Sequence, residues 1–343
     1  MSRWVDRRPA TAVRWLACVG IAVSLAGCGG SSATPKTTST TTSTEAAPST
    51  TAATAGSPLR FSTPQPVSRG AALASVSCGS VTSCVALDAS GRAYSFDGTT
   101  WAGPVPAGAQ ALGPGSVSVS CASPTLCMAV ATAASEIVSW NGQAWSAPTT
   151  LEGSNGLEAV GCAPTAYCAS VDAAGTAFAF NGQSWRGTSG DWGSVSSISC
   201  VSASFCVSVS GGISQWNGQQ WSMPNPYTST SNFSSVSCPS ASFCTAVDVA
   251  GQVLQWNGQG WSAGTTVEPT TGEASGAGLN GVSCPTTSYC AAVDSAGGVV
   301  QWSNGVWTRS DIDGSLKLTA ISCPATSLCV AVDQNGNVLY GKP

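Results

Sequence analysis

The chain has 343 residues, a formal net charge of −4 and only 8% charged residues. Histidine is absent, which excludes histidine general bases, Ser/His and Cys/His nucleophile pairs and nearly all common zinc sites. No basic patch stands out, so nucleic acid is not an expected partner, and no cofactor or metal is expected either.

The first element, residues 1–27, reads as an export signal. Arg3, Arg7, Arg8 and Arg14 form a positive leader, and Trp15 to Gly27 is an apolar run of 13 residues, too short to span a bilayer comfortably. It ends in "LAGC", Leu25 to Cys28. Small residues before a cysteine resemble the lipobox of bacterial lipoproteins. The resemblance implies cleavage before Cys28, a lipid on its sulfur and insertion of that lipid in the outer face of the cytoplasmic membrane. The alternative is an ordinary signal peptide with a cysteine nearby. Four Arg and one Asp precede Cys28, which leaves 8 Lys plus Arg against 15 Asp plus Glu and a net charge of −7 for the mature chain.

After Cys28, residues 29–58 hold no aromatic residue and no Val, Ile or Leu, only Thr, Ser, Ala, Gly and Pro with one Lys and one Glu. Such a segment buries too little apolar surface to fold. It is expected to be a disordered tether with a coil reach of roughly 30 Å.

Residues 59–343 form the third unit, and it is repetitive. A cysteine, five residues and a second cysteine recur seven times, from "SCGSVTSC" ending at Cys84 to "SCPATSLC" ending at Cys329. The pairs are Cys78/Cys84, Cys121/Cys127, Cys162/Cys168, Cys200/Cys206, Cys238/Cys244, Cys284/Cys290 and Cys323/Cys329. Successive first cysteines lie 43, 41, 38, 38, 46 and 39 residues apart. A period near 40 with strand-like alternation is the length of a propeller blade. Within one copy, "SVSC", "CTAVD" and "QVLQW" read as three strands, "VDVAG" as a β-turn, "NGQG" as a hairpin turn and "GWS" as the start of a fourth strand. No helical periodicity interrupts the pattern. The expected fold is all-β: a seven-bladed propeller of four-stranded antiparallel blades, one disulfide per blade, existing as a monomer. Because the chain is exported, the cysteines are assigned to structural disulfides that staple the loop between first and second strands.

The last copy stops at "VLYGKP" without a fourth strand. At the other end, "RFSTPQPVS" matches the fourth strands "WSAPTTL" and "WSMPNPY", with Phe61 in place of Trp. The spacing from Phe61 to Cys78 is 17, the same as from Trp145 to Cys162 and from Trp221 to Cys238. The N-terminal strand should therefore complete the seventh blade and close the ring.

The turn "SFDGTTW", Ser95 to Trp101, resembles a shortened Asp-box, and "NGQAW", "NGQSW", "NGQQW" and "NGQGW" are degenerate copies. That motif marks the turn between third and fourth strands in sialidase-like and photosystem-assembly-factor-like propellers. The resemblance implies a folding element away from any active centre. The tryptophans flanking these turns are assigned to packing between blades, with sugar stacking as the alternative. Asp88, Asp172, Asp248, Asp294 and Asp333 fall at one repeated position, each in D-x-x-G, and are assigned to turn capping rather than to calcium or catalysis.

The stapled loops are uniform, whereas the connections between blades differ in length and content, which suits recognition. The candidate contacts there are Trp192, the only mature tryptophan outside the repeat, with Tyr227, Glu268, Glu273, Asp311 and Asp313. The expected function is a surface-tethered binding or scaffold module for a protein or glycan partner, with no catalytic residues assigned. The alternative is an extracellular hydrolase of sialidase or glycosidase type, whose carboxylate pair the spacing does not single out.

Overall fold

A computed structural model of the chain describes residues 58–343 except 109–111, 114, 134, 189–192, 224–231, 269–276 and 315. All of them belong to the second of two units, Ala52–Pro343. The signal, Cys28 and the tether lie outside the described residues.

Every described element is a β-strand, and the strands form seven antiparallel sheets. Their inner strands are Leu73–Ser80, Val117–Ser123, Leu157–Cys162, Ser197–Ser202, Phe233–Ser240, Leu279–Thr286 and Leu318–Ala325. Each inner strand packs against the next, and the last against the first, so the sheets are the blades of a closed propeller. Among the described residues blade 4 carries three strands, and the start of its fourth is the Trp216–Trp221 bridge.

The seventh sheet is completed from the N-terminus, as the 17-residue spacing predicted. Arg60–Phe61 pairs with Asn337–Lys342 in the register Arg60↔Lys342 and Phe61↔Gly341, and Gln65–Pro66 pairs further along the same strand. Leu59 locks this strand to blade 6. Its backbone N–H donates to Gln301 Oε1 at 2.7 Å, and Gln301 Nε2 donates to the Leu59 carbonyl at 3.0 Å.

The core is divided among the blade interfaces. Among the described residues seven apolar clusters are present, each built by two neighbouring blades; one joins Val207 and Ile213 of blade 4 to Phe233 and Leu254 of blade 5. Residues with few large side chains fill these layers because the two sheet faces meet with Val, Ala and Leu in alternation.

Seven disulfides link the first and second cysteine of each copy within its own blade, as the spacing predicted: Cys78–Cys84, Cys121–Cys127, Cys162–Cys168, Cys200–Cys206, Cys238–Cys244, Cys284–Cys290 and Cys323–Cys329. The second cysteines, Cys84, Cys127, Cys168, Cys206, Cys244, Cys290 and Cys329, are each at most 1% exposed. Each stands on the second strand of its blade and belongs to an inter-blade apolar cluster, Cys127 with Val117 and Val138, Cys168 with Val160 and Phe178, Cys206 with Ile198 and Trp216, and Cys290 with Val282 and Val300. The physical reason is the strand's alternation, which turns this position to the same face as the small buried residue two places on, such as Ala86, Ala129, Ala246 and Ala292. The bridges therefore serve as packing volume as well as cross-links, in a core with few large side chains.

The "SVSC" serines do more than alternate. An innermost strand leaves an unpaired backbone edge, which must be satisfied. Ser77 Oγ accepts the Cys121 N–H at 2.9 Å, Ser120 the Cys162 N–H at 2.9 Å, Ser199 the Cys238 N–H at 3.0 Å and Ser237 the Cys284 N–H at 2.9 Å. Ser283 and Ser322 do the same for Cys323 and Cys78. Each hydroxyl thus ties one blade to the next around an axial channel of about 320 Å³. Gly161 occupies the seventh place, where a side-chain carbon would lie 2.6 Å from the Ile198 carbonyl oxygen.

Candidate functional site: the inter-blade loop face

The two ends of the propeller differ in kind. At one end, the disulfide loops meet the third-to-fourth strand turns. A side chain at Gly98 would touch Thr82 of the stapled loop, and one at Gly142 would touch Thr125. Gly98 and Gly142 have φ of 96° and 94°, a conformation that favours glycine. Asn141 Oδ1 accepts the N–H groups of Gln143 and Ala144, and Asn217 and Asn257 repeat this pattern. The turn "SNGVW" departs from it: Asn304 itself has φ 54° and Ser303 pairs directly with Val306. The aromatic pairs flanking these turns, such as Trp256 and Trp261 with centroids 5.9 Å apart, pack against the inter-blade clusters. Trp256 Nε1 also donates to the Ala241 carbonyl of the stapled loop at 3.0 Å.

The other end carries the second-to-third strand turns and the connections between blades. The five repeated aspartates sit here, all fully buried. Oδ1 of each accepts the backbone N–H groups two and four residues on: Ser90 and Arg92 for Asp88, Ala174 and Thr176 for Asp172, and Ala296 and Gly298 for Asp294. Asp248 and Asp333 bind their own turns in the same way. The second oxygen reaches outward to a different partner: Arg92 Nε at 2.7 Å from Asp88, the Asn155 N–H at 2.8 Å from Asp172, Asn337 Nδ2 at 2.6 Å from Asp333. These carboxylates are turn caps with one oxygen left to fix a neighbouring group. Among the described residues, no cluster of three or more His, Cys, Asp or Glu is placed to hold a metal ion.

Around blade 6 the buried charges multiply. Arg309 Nε lies 2.7 Å from Asp294 Oδ2 and 3.1 Å from Glu268 Oε2, and Arg309 Nη1 meets Asp311. The Glu268 side chain is 1% exposed, and Glu268 Oε1 and Arg309 Nη2 have no hydrogen-bond partner among the described residues. Burial, with repulsion from Asp294, pushes the Glu268 pKa up to about 7 against the pull of Arg309. On the other side of blade 6, burial and a hydrogen bond with Asp333 push Asp313 up to about 7. Gly298 permits the first cluster, because a side-chain carbon there would lie 2.2 Å from Asp294 Oδ2.

The six candidate contacts therefore separate. Glu268 and Asp313 are buried and join blades 5, 6 and 7, while the Asp311 side chain is 70% exposed. Trp192, Tyr227 and Glu273 lie outside the described residues. Phe233 opens the inner strand of blade 5 and is 1% exposed. Arg309, which organises the acids, was missed because it sits within a strand and meets Glu268 across 41 residues of sequence.

The fold and this face define a seven-bladed β-propeller, stapled blade by blade, with one uniform end and one varied end. No protein-family model and no curated protein sequence matches the chain. Solved structures with the same fold include YCF48 bound to D1 peptide, 13% identical with a TM-score of 0.65 over 84% of this chain and 98% of that one. YCF48 from Cyanidioschyzon merolae is 14% identical with a TM-score of 0.63, over 82% of this chain and 98% of that one. U3-55K is 11% identical with a TM-score of 0.69, over 84% of this chain and all of that one. At these identities the likeness shows the fold alone.

Proposed function

We propose that the chain is a tethered, non-catalytic recognition module that holds a polypeptide partner on its inter-blade loop face. The observation that carries this reading is the division between the two ends. One end repeats the same stapled loops and Asx turns, whereas the other presents connections that differ from blade to blade over a rigid frame of buried aspartates. A propeller of the same fold has been solved with a bound peptide, which supports a polypeptide over other partner classes. Trp192, Tyr227, Glu273 and the exposed Asp311 are the contacts this reading assigns, with aromatic area supplying affinity and acids supplying specificity. With a mature net charge of −7, a partner bearing basic patches is favoured. In this reading the lipobox at Cys28 and the tether hold the module at the outer face of the membrane.

The test has two arms. Mature protein immobilised through its N-terminus captures partners from envelope extract, and Trp192→Ala with Asp311→Ala should release the captured polypeptide without lowering the melting temperature. Partners retained by that variant but lost on substitution of the Asn-Gly turns would move the site to the opposite end. Cys28→Ser should release the protein into the medium or leave unprocessed precursor. A processed protein that stays in the membrane would end the lipid-anchor reading.

A further inference from the structure

Between blades 2 and 3 a groove of about 810 Å³ runs along the outer edge of the ring, while one between blades 1 and 2 holds about 250 Å³. The larger volume falls within the range of about 300–1,000 Å³ typical of small-ligand sites. Local sequence explains its size. The fourth strand of blade 2 is reduced to the Trp140–Trp145 bridge and the short ladder of Thr149–Thr150. Across from it, blade 3 offers Gly187, where an added side-chain carbon would meet nothing nearer than the Phe178 ring at 4.0 Å. The groove reaches from the Asn181–Trp185 turn at one end to Leu151 and Glu152, where the chain leaves blade 2, at the other.

The chemistry of the walls narrows the ligand. The floor is apolar and closed, with Ile137, Val138 and Phe178 each at most 3% exposed. Above it the half-buried Trp185 ring packs against Phe180 with centroids 5.4 Å apart. Gln183, Thr149 and Glu152 are exposed on the rim, and their side chains bond no other described residue. An extended peptide would add to a free strand edge, but the facing edge of blade 2 is occupied. Ile137 pairs with Thr149, and Ser146 takes both the Ser139 N–H, through its hydroxyl, and the Ser139 carbonyl. Among the described residues the single charged group of the lining is Glu152, which disfavours anions. An aromatic wall with an amide, hydroxyls and one carboxylate suits a ligand with apolar C–H faces and many hydroxyls.

We infer that this groove is a binding site for a neutral oligosaccharide, separate from the loop face that holds the polypeptide partner. Trp185 supplies the stacking wall, and Gln183 and Glu152 bond the ring hydroxyls. The mature chain is titrated with maltotetraose, cellotetraose, xylotetraose and mannotetraose, followed by calorimetry and tryptophan fluorescence. At least one should bind and shift the emission. Gly187 is free of positive φ, so Gly187→Leu fills the groove without backbone strain and should cut affinity at least tenfold at unchanged melting temperature. Gln183→Ala should weaken binding in the same direction and decides the matter alone should Gly187→Leu lower the melting temperature. Gln259→Ala, the equivalent turn residue of blade 5, and Asp311→Ala on the loop face should leave it unchanged. Binding by none of the four sugars overturns the inference, as does binding that survives the deciding groove variant. Neither outcome bears on capture of a polypeptide by the loop face.

Discussion

Phe61 lies opposite Gly341, and a side chain at 341 would meet the Phe61 ring at 2.7 Å. Position 341 pairs with Cys329 as Phe96, Trp140, Phe180, Trp216, Trp256 and Trp302 pair with the second cysteines of their blades. The seventh blade thus lacks an aromatic at this third-strand position, and the ring brought by the N-terminal strand occupies the space. Closure of the ring and completion of this blade's core are one event.

Removing residues 59–67 should therefore open the ring. The edge of Asn337–Lys342 loses its partner, Gln301 loses both bonds to Leu59, and an unpaired edge favours aggregation. Phe61→Ala alone should cost about 1–2 kcal/mol, the value of a partly buried aromatic side chain. Deleting residues 29–57 should leave the melting temperature unchanged. Thermal melts of the three variants side by side check this, and equal stability of the two deletions would refute it.

The serine ring makes a second expectation. Ser237→Ala removes the acceptor of the Cys284 N–H and should cost about 1 kcal/mol, as for one hydrogen bond to a partly buried donor. Gly161→Ser would restore the residue type found at the other six places, yet should destabilise, because its side chain would be driven into the Ile198 carbonyl. Denaturant unfolding of both variants distinguishes this geometry from a simple preference for serine at the inner strand.

The disulfides should be additive and local. Each closes a loop with a sequence separation of 6, for which loop entropy gives about 2 kcal/mol. Replacing Cys238 and Cys244 together by Ser should lower stability by at least that order, since the buried Cys244 also fills core volume, and leave the other six pairs intact on non-reducing peptide mapping. A linkage between cysteines of different blades would contradict the structure.

The repeat, the blade count and the borrowed strand were all legible in the sequence, because each rests on spacing along the chain. The D-x-x-G aspartates were legible for the same reason: Asp88 and its four counterparts cap turns that their own sequence spells out. What escaped was whatever depends on the next blade. "SVSC" reads as alternation, and nothing in it shows that Ser77 serves Cys121, 44 residues away. The cysteine pairing was plain from the repeat, but the burial of Cys127, Cys168, Cys206 and Cys290 comes from the blade packed against each of them. Glu268 reads as a loop acid, but Arg309 and the packing of blade 5 on blade 6 bury it. Nor do the lengths of the outer strands, which open the groove beside Gly187, follow from a pattern that is nearly the same in every copy.

The buried acids fix a pH dependence whose sign can be worked out. The unfolded chain titrates Glu near 4.5 and Asp near 3.8, whereas the folded protein holds protons on Glu268 and Asp313 up to about pH 7. Between those limits the native state binds more protons than the unfolded state, so stability falls as pH rises from about 4 to 7. The opposite contribution comes from Asp88 and Asp97. Burial opposes the charge on Asp88, but bonds from Ser90 and Arg92 outweigh it, and bonds from Thr100 and Thr99 hold Asp97 low. Their stabilisation is present above the ordinary aspartate pKa and is lost as pH falls below about 4. Stability should accordingly peak near pH 4, with a melting temperature at least about 2 °C higher than at pH 8, the shift produced by roughly 1 kcal/mol in a domain of this size. Glu268→Gln combined with Asp313→Asn should flatten the curve between pH 5 and 8, since the two groups that release protons in that window are gone. Melts by circular dichroism across that range check it. An unchanged slope in the double variant would mean that Glu268 and Asp313 are ionised in the folded protein well below pH 7.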